Sequence, residues 1–212
     1  ASNPTYTLNV LSKNGENAAE AVEGLTGIEL AAGATRTVTA AEVAAAADLE
    51  EANFRFWSTD DGTTASSYAT SFTVRASAGE INLVAVFGED EVEAAATVAI
   101  TQMVGTATGE TGKISTTMHW YIPDDCSVLE AGFVFSVTEI AEENLVLGAN
   151  KTYKHISGMT SASGIYTFNG SVGTDFDKTL YIRAYIIYTD AEGTMQTIYS
   201  GMQSGSVNTL TA

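Results

Sequence analysis

The segment LYIRAYIIYTDAEGTMQTIYSG, residues 180–201, has the pattern of a complete β-hairpin. Apolar side chains alternate along its first arm, and residues 190–193 form a short loop in which Gly193 can take a positive φ angle. Alternation divides the arm into a core-facing set (Leu180, Ile182, Ala184, Ile186, Tyr188) and an outward set (Tyr181, Arg183, Tyr185, Ile187). We predict that the outward Tyr181, Arg183 and Tyr185 form a contact surface for a neighbour, with cation–π contact worth about 0.5–1 kcal/mol.

The rest of the second half has the same strand character. Glycine-rich turns separate its strand-like segments, and none has a helical period over a useful length. The segments are ATVAITQMVGTA, GKISTTMHWYI, LEAGFVFSVTEI, YKHISGM and GIYTFNGSVG. This spacing predicts an antiparallel, immunoglobulin-like β-sandwich that includes the hairpin.

The first half is predicted to be β-rich with one short helix near 39–51. Thr39 and Glu42 have the spacing of a capping box, and Ala40, Val43, Ala44 and Ala47 form an apolar stripe. An acidic run at 88–97 separates the two halves, so the predicted domains are residues 1–93 and 94–212. The predicted fold class is mainly β, with two small domains.

Two stretches resemble known families. Residues 54–87, with Phe54, Phe56 and Trp57, then an Asp-Gly turn, then the apolar run 83–87, look like internalin-type B-repeats. Residues 179–193 and EAGFVFS at 130–136 resemble bacterial fibronectin type III-like modules, with Trp120 as the core aromatic and Leu180 where such modules often carry a corner tyrosine. Both resemblances imply extracellular scaffolding, adhesion or ligand binding, and neither supplies a catalytic set.

Charge and composition exclude several classes of partner. The chain of 212 residues has 26 Asp and Glu against 9 Lys and Arg, a net charge of −17. Such a surface repels phosphate backbones and anionic lipids, so we expect neither nucleic-acid binding nor membrane insertion. No run approaches the roughly 18 apolar residues of a membrane-spanning helix. The chain does not begin with Met, which we interpret as a processed mature protein or a fragment.

The sequence contains few residues that are suited to catalysis. The candidates are two histidines, His119 and His155, and one cysteine, Cys126, with no motif around them. Gly-x-Ser-x-Gly, His-Glu-x-x-His and a phosphate-binding glycine loop are all absent from the sequence. We therefore predict that the protein is not an enzyme and has no cofactor.

Calcium and sugars remain as ligands to consider. Asp175 and Asp177 place two carboxylates on one side of an extended segment, which makes them the calcium candidates. The Asp60-Asp61-Gly62 run is better interpreted as a turn. Sugar recognition would use exposed aromatic side chains, with candidates Trp57, Trp120, Tyr181, Tyr185, Tyr188 and Tyr199, although such residues usually fill a sandwich core.

The function predicted from these observations is a non-enzymatic, extracellular structural subunit of a bacterial surface assembly such as a filament, pilus-like fibre or surface layer. It would bind itself through strand addition by a terminal segment and apolar packing. The other interpretation is that the two terminal segments are the ordinary first and last strands of their own domains. The alternative function is an adhesin or glycan-binding module of a larger cell-surface protein, with a glycan or host surface as partner.

Overall fold

A computed structural model describes residues 5–76, 79–90 and 92–210 of the chain. It is mainly β, as predicted, with several sheets and one short helix besides a terminal turn of helix. The chain divides into two compact units, Ala1–Ala95 and Ala96–Ala212. The boundary predicted from the acidic run, between residues 93 and 94, lies two residues before this division.

The first unit contains a mixed sheet and a separate strand pair. In chain order its strands are β1 (Thr5–Asn14), β2 (Glu20–Ala31), β3 (Thr35–Thr39), β4 (Phe54–Ser58), β5 (Ser71–Arg75) and β6 (Glu80–Phe87). The four-stranded sheet has the order β2-β1-β6-β4, with β1 parallel to β6 and the other pairs antiparallel. Strands β3 and β5 form an antiparallel pair.

Helix α1 (Ala40–Ala47) follows β3 and starts where the sequence predicts. The Thr39 hydroxyl caps it by accepting a hydrogen bond from the Glu42 amide at 3.1 Å. The Glu42 carboxylate does not complete a capping box, because it pairs with Arg36 instead. The helix is shorter than the predicted 39–51, because Asp48 takes a left-handed conformation at φ 54° and ends it. A 3-10 turn follows at Glu51–Asn53.

Trp57 lies at the centre of the first unit's core. It is fully buried, its ring lies 6.1 Å from that of Phe72, and its indole N–H donates to the Ala69 carbonyl at 2.8 Å. The buried face of α1 packs on the same core. A hydrogen-bonded indole explains why so large a side chain is stable there.

The second unit is the predicted antiparallel β-sandwich. Its strands are β7 (Thr97–Thr108), β8 (Thr111–Tyr121), β9 (Ser127–Ser136), β10 (Tyr153–Ile156), β11 (Ser163–Gly173), β12 (Leu180–Thr189), β13 (Met195–Tyr199) and β14 (Gln203–Gly205), followed by helix α2 (Val207–Leu210). One sheet has the order β11-β8-β7 and the other β10-β9-β12-β13, with β14 continuing beside β12. Their facing apolar residues form one core.

The predicted hairpin is formed by β12 and β13. Gly193 has φ 78°, and the Asp190 carboxylate accepts from the Thr194 amide at 2.7 Å, which stabilises the loop. Hydrogen bonds from the Gln196 side chain and the Thr194 amide hold the pKa of Asp190 below its usual value. Local turn chemistry therefore sets this hairpin.

None of the helices in the described ranges is long and apolar enough to cross a membrane.

Candidate functional site

The predicted Tyr–Arg–Tyr row lies on the face that alternation assigns to it, but this face is covered. Residues 137–152, here called the outer-face loop, pack over it through Ile140, Leu145 and Leu147. Tyr185 is fully buried, and the prediction that this row is exposed to a neighbour is therefore corrected for that residue. The reason is tertiary: apolar residues of this loop, all more than thirty positions before the row, supply a second, smaller core on the outer side of the sheet.

Arg183 fastens the outer-face loop to the sheet. Its guanidinium donates to the carbonyls of Ser200 at 2.8 Å and Glu142 at 3.0 Å, and it lies 4.9 Å from the centre of the Tyr199 ring. Its side chain is only 13% exposed. The predicted cation–π contact is therefore present, but with Tyr199 on β13 and not with the two tyrosines of its own strand. Arg183 acts as a structural anchor here.

The Tyr185 hydroxyl belongs to a short series of hydrogen-bonded polar side chains. Its hydroxyl donates to Glu130 Oε1 at 2.7 Å, and Lys154 Nζ approaches both Glu130 oxygens at 3.2 Å. Burial, followed by the hydrogen bond to Glu130, raises the pKa of Tyr185 far above its ordinary value. The phenol is therefore kept neutral and serves as a donor within the fold.

This raised pKa predicts a loss of stability in strong base. The stabilisation is complete below the unfolded-state pKa of about 10 and is lost as pH rises above it, because only the unfolded chain can then release the proton. We expect the free energy of unfolding of the wild-type protein to fall more steeply between pH 9.5 and 11 than that of Tyr185→Phe. Denaturant titrations at stepped pH measure this. If the free energy of unfolding falls equally steeply with pH in both proteins, the Tyr185 phenol does not contribute to this loss of stability.

The calcium candidates do not form a cation site with other acidic groups. Asp177 accepts a hydrogen bond from the Asn208 side chain at 2.7 Å, which fastens α2 to the loop before β12. Among the described residues, no group of three or more His, Cys, Asp or Glu side chains is placed to hold a metal ion. The Asp60 carboxylate accepts from Gly62 and Thr63 amides, as expected of a turn.

The residues considered for nucleophilic chemistry and for sugar stacking lie in positions where they stabilise the fold. Trp57 and Trp120 are fully buried, as the preferred core interpretation predicts, and they offer no exposed ring to a sugar. His119 is buried, with Nδ1 2.9 Å from the Thr101 hydroxyl. Burial and then the nearby Asp125 carboxylate raise the pKa of the Cys126 thiol, which disfavours the reactive thiolate.

The two terminal segments are docked within their own units as far as they are described. Strand β1 lies between β2 and β6, with Leu8 fully buried. At the other end, β14 pairs with β12, and Val207 of α2 is buried in the sandwich core. The ordinary-strand interpretation of the tails is therefore the one that the structure has. Strand donation by residues 5–10 or 203–210 would require a folded unit to open, while residues 1–4 and 211–212 lie outside the described ranges.

Within the described ranges, strand β11 has a free hydrogen-bonding edge. It is an outer strand of its sheet and pairs with β8 in a regular register from Ser163 to Ser171. Its sequence, SGIYTFNGSVG, has no charged residue and no proline. Outer strands usually carry charges, prolines or bulges that prevent pairing with other chains, and β11 has none of these over its regular length.

Three of the other outer strands in the described ranges are protected, and the uncharged β13 (MQTIY) is only five residues long. Strand β2 carries three glutamates and two glycines with positive φ, and β10 is four residues long and carries Lys154. Strand β7 is also uncharged, but a bulge between Ile100 and Gln102 interrupts it, and α2 and β14 pack against it. In the β11-β8-β7 sheet, the one residue among Asp, Glu, Lys and Arg is Lys113, on the central strand β8. The usual placement of charges is thus reversed in this sheet.

Partly exposed aromatic side chains lie beside the free edge of β11. This aromatic flank consists of Phe135, Tyr153, His155, Tyr166 and Phe168, between the outer strands β10 and β11. Tyr153 is 58% exposed and stacks on Phe135 at 5.7 Å, while His155 Nε2 lies 2.8 Å from the Tyr166 hydroxyl. The flank gives an added strand or a sugar ring an apolar surface to cover.

Sequence reasoning identified β11 as a strand but not as the open edge. The signal was available, because GIYTFNGSVG lacks charge in a strongly acidic chain. The sequence does not show the order of strands in the sheet, and without that order an uncharged outer strand cannot be distinguished from a central one. Tyr153 and the flank were missed for the same reason.

Comparisons with known proteins leave the family open. No family model matches the chain, and no curated protein matches it. Solved structures that align with it include a "putative carbohydrate binding protein" from Bacteroides uniformis (12% identity, TM-score 0.34, covering 95% of this chain and 98% of that one) and a DUF3823 family protein from Bacteroides ovatus (10%, 0.31, 96% and 100%). A "Putative ApaA Protein" from Bordetella pertussis aligns over 52% of this chain and 92% of that one, with 8% identity and a TM-score of 0.38. At these scores the alignments carry no functional argument.

Proposed function

We propose that the protein is a non-enzymatic, extracellular structural subunit of a bacterial surface assembly, and that it binds its partner by strand addition at the free edge of β11. The observation that carries this proposal is the reversed placement of charge, with an uncharged, regular outer strand beside a central strand that carries Lys113. Strand addition supplies main-chain hydrogen bonds without new side-chain chemistry, which suits a chain lacking catalytic motifs.

The mode of strand addition differs from the one expected from the sequence. The terminal strands are already paired inside their units, so the second unit is the acceptor of a strand at β11. Acidic residues over the rest of the chain, at a net charge of −17, keep unassembled subunits soluble and leave β11 as a neutral region for contact. The bacterial and extracellular parts of the proposal rest on the resemblances described above.

Lysines on the outward face of β11 are expected to prevent this association. Asn169 and Ser171 are exposed and point away from the core. The double variant Asn169→Lys/Ser171→Lys should weaken self-association tenfold or more, about 1.4 kcal/mol, because edge lysines oppose strand pairing. The measurement is light scattering coupled to size exclusion over a concentration series, with electron microscopy of the same samples.

A matched control carries the same change of charge elsewhere. Ala191→Lys/Thr194→Lys places two lysines on the exposed loop between β12 and β13, and it should associate as the wild type does. If the two double variants behave identically, or if the wild type stays monomeric at all concentrations, assembly through β11 is wrong.

Glycan binding by a cell-surface module is the second candidate function, and exposed Tyr153 stacked on Phe135 favours it. A monomeric wild-type chain that binds a glycan, with binding lost in Tyr153→Ala, would support this candidate over assembly. Trp57 and Tyr185 are unsuitable for this test, since both are fully buried and their truncation would destabilise the fold.

A further inference from the structure

We propose that the strand added to β11 is β11 of a second copy, running antiparallel to it about a two-fold axis. This inference rests on the proposed function and names its partner. The result is a continuous six-stranded sheet, in the order β7-β8-β11-β11-β8-β7, which joins the two sandwiches edge to edge.

The charge of the chain favours this partner. A strand that pairs with β11 must not bring carboxylates against a second molecule of net charge −17, and β11 itself meets this condition. Within the described ranges, the strands β1, β6, β8, β9 and β12 have neighbours on both sides. Of the outer strands longer than five residues, β2 carries three glutamates and β7 is bulged and packed against α2. Strand β11 is the best partner that this chain can offer to itself.

The side-chain pattern of β11 is compatible with self-pairing. Its inward residues Tyr166, Phe168 and Val172 pack on the sandwich core, and the outward ones are small or uncharged (Ile165, Thr167, Asn169, Ser171). A two-fold axis perpendicular to the sheet places even-numbered residues opposite even-numbered ones, so inward aromatic side chains of both copies lie on the same face. Each copy then covers part of the other's aromatic flank.

The contact is also self-complementary in the way that a closed dimer requires. In an isologous interface the same patch is used by both subunits, and one free edge per subunit is then sufficient. Hydrogen bonding along β11 would close this edge, so a larger assembly would be built from dimers joined through other surfaces. The dimer is therefore the first species expected as concentration rises.

Distances between spin labels on two copies test this geometry directly. Single cysteines are introduced at the outward positions Ile165, Thr167, Asn169 and Ser171 in a Cys126→Ala background, which removes the native thiol. Each labelled chain is measured by pulsed dipolar spectroscopy, with continuous-wave line broadening for the shortest separations. A label at Ala191, on the exposed loop after β12, is the control for non-specific contact.

An antiparallel pair has a characteristic distance profile. The separation between identical positions should have one minimum within β11 and should grow by roughly 14 Å for every second residue away from it, because each strand rises about 3.4 Å per residue in opposite directions. Equal separations at all four positions would mean a parallel pair and would overturn the inference.

Other outcomes separate this inference from the proposed function. Oligomers that are lost in Asn169→Lys/Ser171→Lys but show no short distance between β11 labels would overturn self-pairing and keep strand addition at this edge. A chain that is monomeric throughout would overturn both.

Discussion

Replacing Trp120 with alanine is expected to lower the free energy of unfolding of the second unit by about 3–5 kcal/mol. Trp120 is fully buried between the two sheets, and its indole N–H donates to the Ser161 carbonyl at 2.9 Å. Gly164 on β11 makes room for the ring, since a Cβ there would lie 2.8 Å from ring carbons. The substitution therefore leaves both a cavity and a carbonyl without its donor.

The two tryptophans allow the effect to be assigned to one unit. Trp57 lies in the first unit and Trp120 in the second, so fluorescence of Trp120→Ala reports the first unit alone while circular dichroism follows both. Trp120→Phe, which keeps most of the apolar volume, should lose clearly less stability. If alanine and phenylalanine cost the same, or if neither changes the unfolding of the second unit, cavity formation is not the cause.

Gly132→Ala is expected to destabilise the second unit by about 2–3 kcal/mol and to detach β10 from β9. A Cβ at Gly132 would lie 2.0 Å from the His155 carbonyl oxygen, a backbone atom that moves only if β10 moves. Detachment would break the four-residue pairing of Tyr153–Ile156 with β9 and the contact between His155 and Tyr166. Local opening should be visible as faster amide exchange in residues 153–156.

Gly201→Ala is the matched control for this substitution. Gly201 has no non-neighbouring atom within 4 Å of an added Cβ and no positive φ. Alanine there should leave stability unchanged or raise it slightly by restricting the unfolded chain. Since Gly132→Ala disturbs β10 and the aromatic flank, it should also reduce any glycan binding that depends on Tyr153. Normal amide protection of β10 in Gly132→Ala would contradict the steric argument.

Local chemistry was sufficient to predict much of the fold. The Thr39 cap, the hairpin loop closed by Asp190 and Gly193, and the two faces of β12 each depend on residues within a few positions of one another. The predicted strands of the second half and the sandwich that they form are confirmed by the structure. The extent of α1 was overestimated, because alanine content favours helix but cannot show where a left-handed residue such as Asp48 ends it.

The candidate site was less accessible to sequence reasoning. Tyr185 was placed correctly on the outward face of β12, yet Leu145 of the outer-face loop, forty residues earlier, packs in the same buried cluster. For Trp57 and Trp120 the sequence favoured core positions, which the structure has, but it left exposed platforms as an alternative. Burial depends on which distant segment covers a side chain, and no local pattern records that choice.

The sequence by itself determined the class of fold, the alternation of each strand, the acidity of the surface and the absence of charge in β11, since these are properties of residues or of near neighbours. Only the tertiary structure decided that the Tyr–Arg–Tyr row is covered, that the terminal strands are docked and that β11 is an outer strand. The physical reason is that hydrogen bonding between strands is satisfied by segments far apart in the chain, so strand order decides which edge is left free.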